Sequence, residues 1–195
     1  MNFDISFERL MKLEFSGGKN ALHWNSGEKD VTFMGIYRYA QPRWSGWVEI
    51  DKYLKMYNLY NIKEAKLKKE VLQDLSVKFY QNSELREQVK AFYKREFWDK
   101  FWGDKIFNFD IANLIFIFGV NVGMKTAIKK AQEVVGVEND GIVGNITLKA
   151  LNGISPLKFV QEYKRLQNAY YTQLAKANSK YERFLQGWLN RVKNS

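Results

Sequence analysis

Glu14 is the residue around which chemistry can be built. Phe3, Phe7, Leu10 and Glu14 fall at i, i+4, i+7 and i+11, so a helix from Asn2 to Phe15 would carry three core residues along one stripe and end it in a carboxylate aimed inward. Ser16, Gly17 and Gly18 follow, stopping the helix and freeing the backbone beside that acid. Next a loop or hairpin is expected, with Leu22-His23-Trp24 on one arm, Val31-Thr32-Phe33 on the other, and Glu28 and Asp30 between them. Cleaving a glycosidic bond near neutral pH needs a carboxylic acid that stays protonated, which desolvation on an apolar stripe favours. Glu14 suits that role, with solvation or pairing to Lys12 or Lys19 as the ordinary alternative. The second group is either a nucleophile about 5–5.5 Å from the acid or a base about 6.5–9.5 Å away, and Asp30 and Glu28 are the candidates. Thr32 can position a water or serve only as a strand former. His23 can hydrogen-bond a sugar or stem peptide. Trp24 and Tyr37 offer ring faces for sugar stacking, against core packing as the competing role.

Composition narrows the chemistry to carboxylates. The 195 residues contain no cysteine, which excludes disulfides, zinc-thiolate sites and thiol nucleophiles. His23 is the single histidine, so a multi-histidine metal site is impossible and a Ser-His-Asp triad would have to be built around it. No metal and no cofactor are expected. At 46% hydrophobic and 16% aromatic the chain is globular, and its two prolines, with long stretches of Lys, Glu, Gln, Leu and Ala, point to helix. The net charge of +10 predicts an anionic partner. Lys and Arg are spread along helices rather than gathered in a tail, which favours a general steering field, and no nucleic-acid reading motif is present.

The elements that must position these residues follow in order. Helical spacing runs from Trp47 to Tyr57 and from Ile62 to Tyr80, after an irregular aromatic connection through Pro42 and Trp44. Asn82 or Ser83 can cap a helix from Glu84 to about Trp102, whose aromatic end suits a core or lobe interface. Asp110 is expected to cap the apolar helix Ile111 to Val122, too short and too interrupted to span a bilayer. A helix from about Lys125 to Val135 precedes the turn-rich stretch 136–145. Its Asp140-Gly141 reads as a tight turn rather than a cation loop. Ser155-Pro156 opens a helix to about Ala177, and a last helix, Tyr181 to Val192, should present Phe184, Leu185, Trp188 and Leu189 to the core.

Several of these segments resemble a known family. Glu14 with Gly17-Gly18, then Thr32-Phe33-Met34-Gly35-Ile36, looks like the Glu-Gly-Gly and Thr-x-x-Gly-Ile elements of the glycoside hydrolase family 108 lysozyme-like muramidases. Phe92 to Trp98 is similar to that family's Tyr-x-x-x-Tyr/Phe-Trp segment, and Val120-Asn121-Val122-Gly123 to its Val-Asn-x-Gly. The run Ala131-Gln132 through Leu151 resembles the associated peptidoglycan-binding module, and Phe184 to Val192 its closing Phe-x-x-Gly-Trp-x-x-Arg-Val. The chain departs from the pattern at three places. Phe15-Ser16 separate the acid from its glycines, Phe116-Ile117 stand where Phe-Asp is frequent, and Asn145 replaces a proline.

The resemblance implies N-acetylmuramidase activity on peptidoglycan glycan strands, with Glu14 as the acid and Asn121 as a substrate-binding candidate. The expected fold is mainly α, a lysozyme-like helical domain at residues 1–123 with a small β-hairpin lobe beside the cleft, followed by a peptidoglycan-binding module at 124–195. The expected partner is bacterial peptidoglycan, with anionic cell-wall polymers as further ligands, no nucleic acid, no membrane insertion and a monomeric state. No signal peptide is visible at the N-terminus, so a holin-like or dedicated export route is expected for action on periplasmic or cell-wall peptidoglycan. A non-catalytic wall-binding or secretion-associated protein of the same fold is the alternative.

Overall fold

The computed structural model describes residues 2–194 and shows a mainly α chain with one small antiparallel sheet. Among the described residues there are nine α-helices: α1 Asn2–Phe15, α2 Trp47–Met56, α3 Ala65–Tyr80, α4 Ser83–Tyr93, α5 Phe109–Val122, α6 Met124–Val135, α7 Asn145–Gly153, α8 Pro156–Ala177 and α9 Glu182–Asn194. Where a hairpin was expected the chain adds a third strand, so β1 (Leu22–His23), β2 (Thr32–Phe33) and β3 (Ile36–Tyr37) form a meander in the order β1-β2-β3. No helix among the described residues is long and apolar enough to cross a membrane.

The chain divides into two compact units. One is residues 7–93; the other joins residues 2–6 to 94–194. The boundary expected from the sequence, 123/124, falls within the second of these units. Helix α5 explains the difference, because it packs on α6 and α8 and so belongs with the C-terminal helices.

In the first unit the predicted stripe of α1 is buried, with Phe7 and Leu10 both at 0% exposure, and Phe7 packs against the ring of Tyr93. Phe33 stacks on Trp44 and meets Phe79 edge-on, which fixes the sheet between the Trp44 connection and α3. In the second unit residues 111–119 of α5 are all buried, as a helix apolar on every side requires. Phe3 and Phe116 both pack against Trp98.

Four local expectations change. The third helix begins at Ala65, not Ile62. The helix through the aromatic segment stops at Tyr93 and passes through a π turn, Lys94–Trp98, before short 3-10 turns. The side-chain cap of α5 is Asn108, which accepts from the Ile111 amide, and not Asp110. On α9 only Val192 is fully buried, while Phe184 is 44% exposed and lies tilted against Trp188, which stacks on the buried Tyr171.

Candidate functional site

Every sequence-predicted site residue except Asn121 lies in the unit 7–93. Glu14 sits in the last turn of α1, half-buried, at the end of the stripe formed by Phe7 and Leu10. Its charge acts on Tyr93, the last residue of α4. Burial, and then the negative field of Glu14, push the Tyr93 phenol well above the ordinary tyrosine value. The phenol therefore stays a donor, and it donates to the Met34 carbonyl at 2.8 Å. Met34 and Gly35 form the two-residue turn between β2 and β3, both with positive φ, as a type I′ hairpin turn demands. A buried tyrosine thus joins the neighbourhood of the acid to the turn of the Thr-x-x-Gly-Ile segment.

The register of the sheet gathers three predicted residues. Thr32 is paired with His23 on one side and Tyr37 on the other, so the three share one face. The opposite face carries Leu22, Phe33 and Ile36, none more than 1% exposed. Thr32 is 6% exposed, and its Oγ1 has no hydrogen-bond partner. A buried hydroxyl without a partner is costly unless a water or ligand completes it.

The two hairpin carboxylates are held differently. Glu28 closes its own turn, accepting from the Asn25 backbone amide at 3.1 Å and from Asn25 Nδ2 at 3.0 Å, while its carbonyl accepts from Trp24 Nε1 at 2.9 Å. Asp30 accepts from the Val31 amide at 2.8 Å and from the Tyr60 hydroxyl at 3.0 Å, and its other oxygen lies 3.6 Å from Arg38 Nε. Arg38 is itself bound in a two-pronged pair to Asp51, which raises its pKa. Burial and the bond to Asp30 push the Tyr60 phenol up to about 12. Glu28 is thus occupied with turn geometry, whereas Asp30 belongs to a polar network with Arg38, Asp51 and Tyr60 that only the fold brings together.

Trp24 and His23 face a separate feature. They line a cavity of about 500 Å³ against α3, and Lys68 Nζ stands 3.7 Å above the Trp24 ring centroid. His23 Nδ1 lies 3.1 Å from the Asn20 carbonyl. Tyr37 donates no stacking face to this cavity; its hydroxyl accepts from the Lys29 amide at 2.9 Å, and its ring lies tilted to Tyr39. Asn121, in the other unit, is used structurally: Nδ2 donates to the Ile117 carbonyl and Oδ1 accepts from Arg191 of α9, both at 2.9 Å.

Sequence reasoning passed over two positioning residues. Ser76, fully buried on α3, donates to the Gly18 carbonyl at 2.6 Å and accepts from the Leu22 amide at 2.8 Å, so it pins both ends of the glycine-rich loop. Its signal is a serine within the otherwise apolar set Leu72, Leu75, Ser76 and Phe79. Tyr93 is the other, visible only as one aromatic residue among several.

Comparison with known proteins adds two findings. Residues 126–193 match the family described as "Predicted Peptidoglycan domain". The chain is similar in fold to the structure of Brucella abortus SagA, with a TM-score of 0.61, 19% identity, and coverage of 98% of this chain and 90% of that chain. At that identity the likeness speaks for the fold. No curated protein sequence matches the chain.

Proposed function

We propose that the chain is a cell-wall-associated protein that hydrolyses the glycan strand of peptidoglycan as an N-acetylmuramidase. The match of residues 126–193 to a peptidoglycan domain carries the cell-wall reading. The half-buried Glu14, at the end of an apolar stripe and beside the buried Tyr93, supports placing the catalytic acid there. In this reading Glu14 protonates the leaving glycosidic oxygen. Asp30 is the preferred second carboxylate, because Glu28 is committed to Asn25 and Trp24. The unpartnered hydroxyl of Thr32 is suited to hold a water. The positive charge of +10 draws the protein to anionic walls. The residues 1–123 and 124–195 are proposed to divide the work into cleavage and wall binding.

The test is loss of turbidity of purified cell walls. The parent chain is expected to clear them, and Glu14→Gln to slow clearing by about 10²–10⁴-fold, the usual worth of a general acid. Mass spectrometry of the released reducing ends should show N-acetylmuramic acid termini. A parent chain that binds walls without releasing reducing ends overturns the muramidase reading and leaves a wall-binding protein. That second reading has one observation in its favour: Ile117, where the resembled family often has an acid, is 2% exposed in the core of α5.

A further inference from the structure

Positive charge gathers around the half-open cavity between β1 and the start of α3. Lys19, Lys68 and Lys69 line it, and no carboxylate does. Helix α3 begins at Ala65, also on the lining, and Glu64 at its N-cap makes no side-chain capping bond, so the first amides of the helix are left for another acceptor. Leu22, Leu72 and the face of Trp24 give the cavity an apolar wall, with Lys68 held above the Trp24 ring. Asn25 and Gln73 add amide groups on the lining. The volume of about 500 Å³ is of the size that takes a small ligand or a short peptide.

Resting on the proposed action on peptidoglycan, we infer that this cavity binds the carboxylate-bearing peptide stem of the wall. Three lysines and free helix amides match carboxylates; the apolar wall matches the methyl and methylene groups of alanyl and diamino-acid residues. A polyol-phosphate wall polymer would satisfy the cations but leave Leu22, Leu72 and Trp24 without an apolar partner. The Glu14 region would then act on the sugar strand while this cavity holds the peptide attached to it, which selects peptide-bearing glycan over naked glycan.

The probe is the free tripeptide alanyl-γ-glutamyl-diaminopimelate, titrated into the full chain. The imidazole proton resonances of His23 report on it, because His23 lines the cavity and is the chain's only histidine. Saturable shifts are expected, weakened about 5–10-fold in the Lys68→Ala/Lys69→Ala double variant, with circular dichroism checking that its fold matches the parent's. Lys69→Glu should weaken binding as well, and the tripeptide with its carboxylates converted to amides should bind at least about 5-fold more weakly. Raising salt should lower the affinity. No saturable shift of His23, an undiminished affinity in the lysine variants, or equal binding of a glycerol-phosphate oligomer overturns the inference. The test involves no hydrolysis. Peptide binding by a chain that does not clear walls would sink the muramidase reading alone, and wall clearing without peptide binding would sink this one alone.

Discussion

Replacing Gly35 by alanine isolates the contact that ties the acid's surroundings to the sheet. Gly35 has φ +78, and a Cβ built there would stand 2.5 Å from the Tyr93 hydroxyl oxygen but 3.8 Å from Tyr93 Cζ. The hydroxyl is therefore the whole of the clash. Alanine in the left-handed region costs about 1–2 kcal/mol, and pushing the buried hydroxyl off the Met34 carbonyl costs about 1–3 kcal/mol more, so Gly35→Ala should destabilise the chain by about 2–5 kcal/mol. Tyr93→Phe alone should cost about 1–3 kcal/mol for the lost bond. In the double variant the Cβ meets only a ring carbon at ordinary contact distance, so the hydroxyl is lost once rather than twice. The double variant should be about 1–3 kcal/mol more stable than the two single losses added together. Urea unfolding followed by tryptophan fluorescence measures all four corners of the cycle through the shift in midpoint at constant slope. Single-variant losses that add to within about 0.5 kcal/mol would refute the argument, because contact through the hydroxyl requires coupling.

Three further outcomes are expected. Gln132, 1% exposed, donates to Asp140 at 2.7 Å and to the Ile142 carbonyl at 3.0 Å and accepts from the Gly141 amide at 2.8 Å, so Gln132→Ala should cost about 2–4 kcal/mol and a thermal loss worth under about 1 kcal/mol would contradict it. The bond from Lys94, followed by that from Trp98 Nε1, holds Asp104 below the ordinary aspartate value of 3.8; its stabilisation is full above that value and disappears as pH falls through the lowered one, so Asp104→Asn should flatten the acid limb of a stability–pH curve. Thr32→Val replaces an unpartnered buried hydroxyl with a methyl of the same shape, and should leave urea stability unchanged or higher by about 1 kcal/mol while slowing wall clearing at least about 10-fold; unchanged clearing would remove Thr32 from the site.

What the sequence disclosed follows from periodicity. The stripe of α1 and the apolar helix α5 could be read because burial repeats at the helical spacing, and Ser155-Pro156 marks the start of α8 because proline suits a first turn. The break at Tyr93 was hidden, since aromatic residues at 92–98 suit a buried helix as well as the π turn that forms there. Asn108 and Asp110 are both capping types two residues apart, and only the amide that each can reach separates them. On α9 the pattern was amphipathic, yet pattern gives no account of how much of a face its neighbours cover. The site divides in the same way. His23, Thr32 and Tyr37 were proposed separately and proved to be one cross-strand row, which no spacing between 23 and 37 announces. The partners of Asp30 come from Arg38 and Tyr60, contacts that a loop and a short helical turn create only in three dimensions.

The glycines of the motif gain a different meaning once their neighbours are known. Read alone, Gly17-Gly18 and Gly35 offer backbone freedom near an acid. Gly17 does have open space around it, but a Cβ at Gly18 would lie 2.7 Å from the Tyr80 ring and one at Gly35 would meet Tyr93. Tyr80 ends α3 and Tyr93 ends α4, so each of these two glycines is the place where a loop presses on the last residue of a helix. Both also carry the positive φ that suits glycine, so close approach and backbone conformation together require glycine at both. Between Glu14 and the contact of Gly18 with Tyr80 run Phe15, Ser16 and Gly17, and the Gly18 carbonyl also accepts from Ser76. The loop after the acid is thus seated at Gly18 from two directions, by the Tyr80 ring and by the Ser76 hydroxyl.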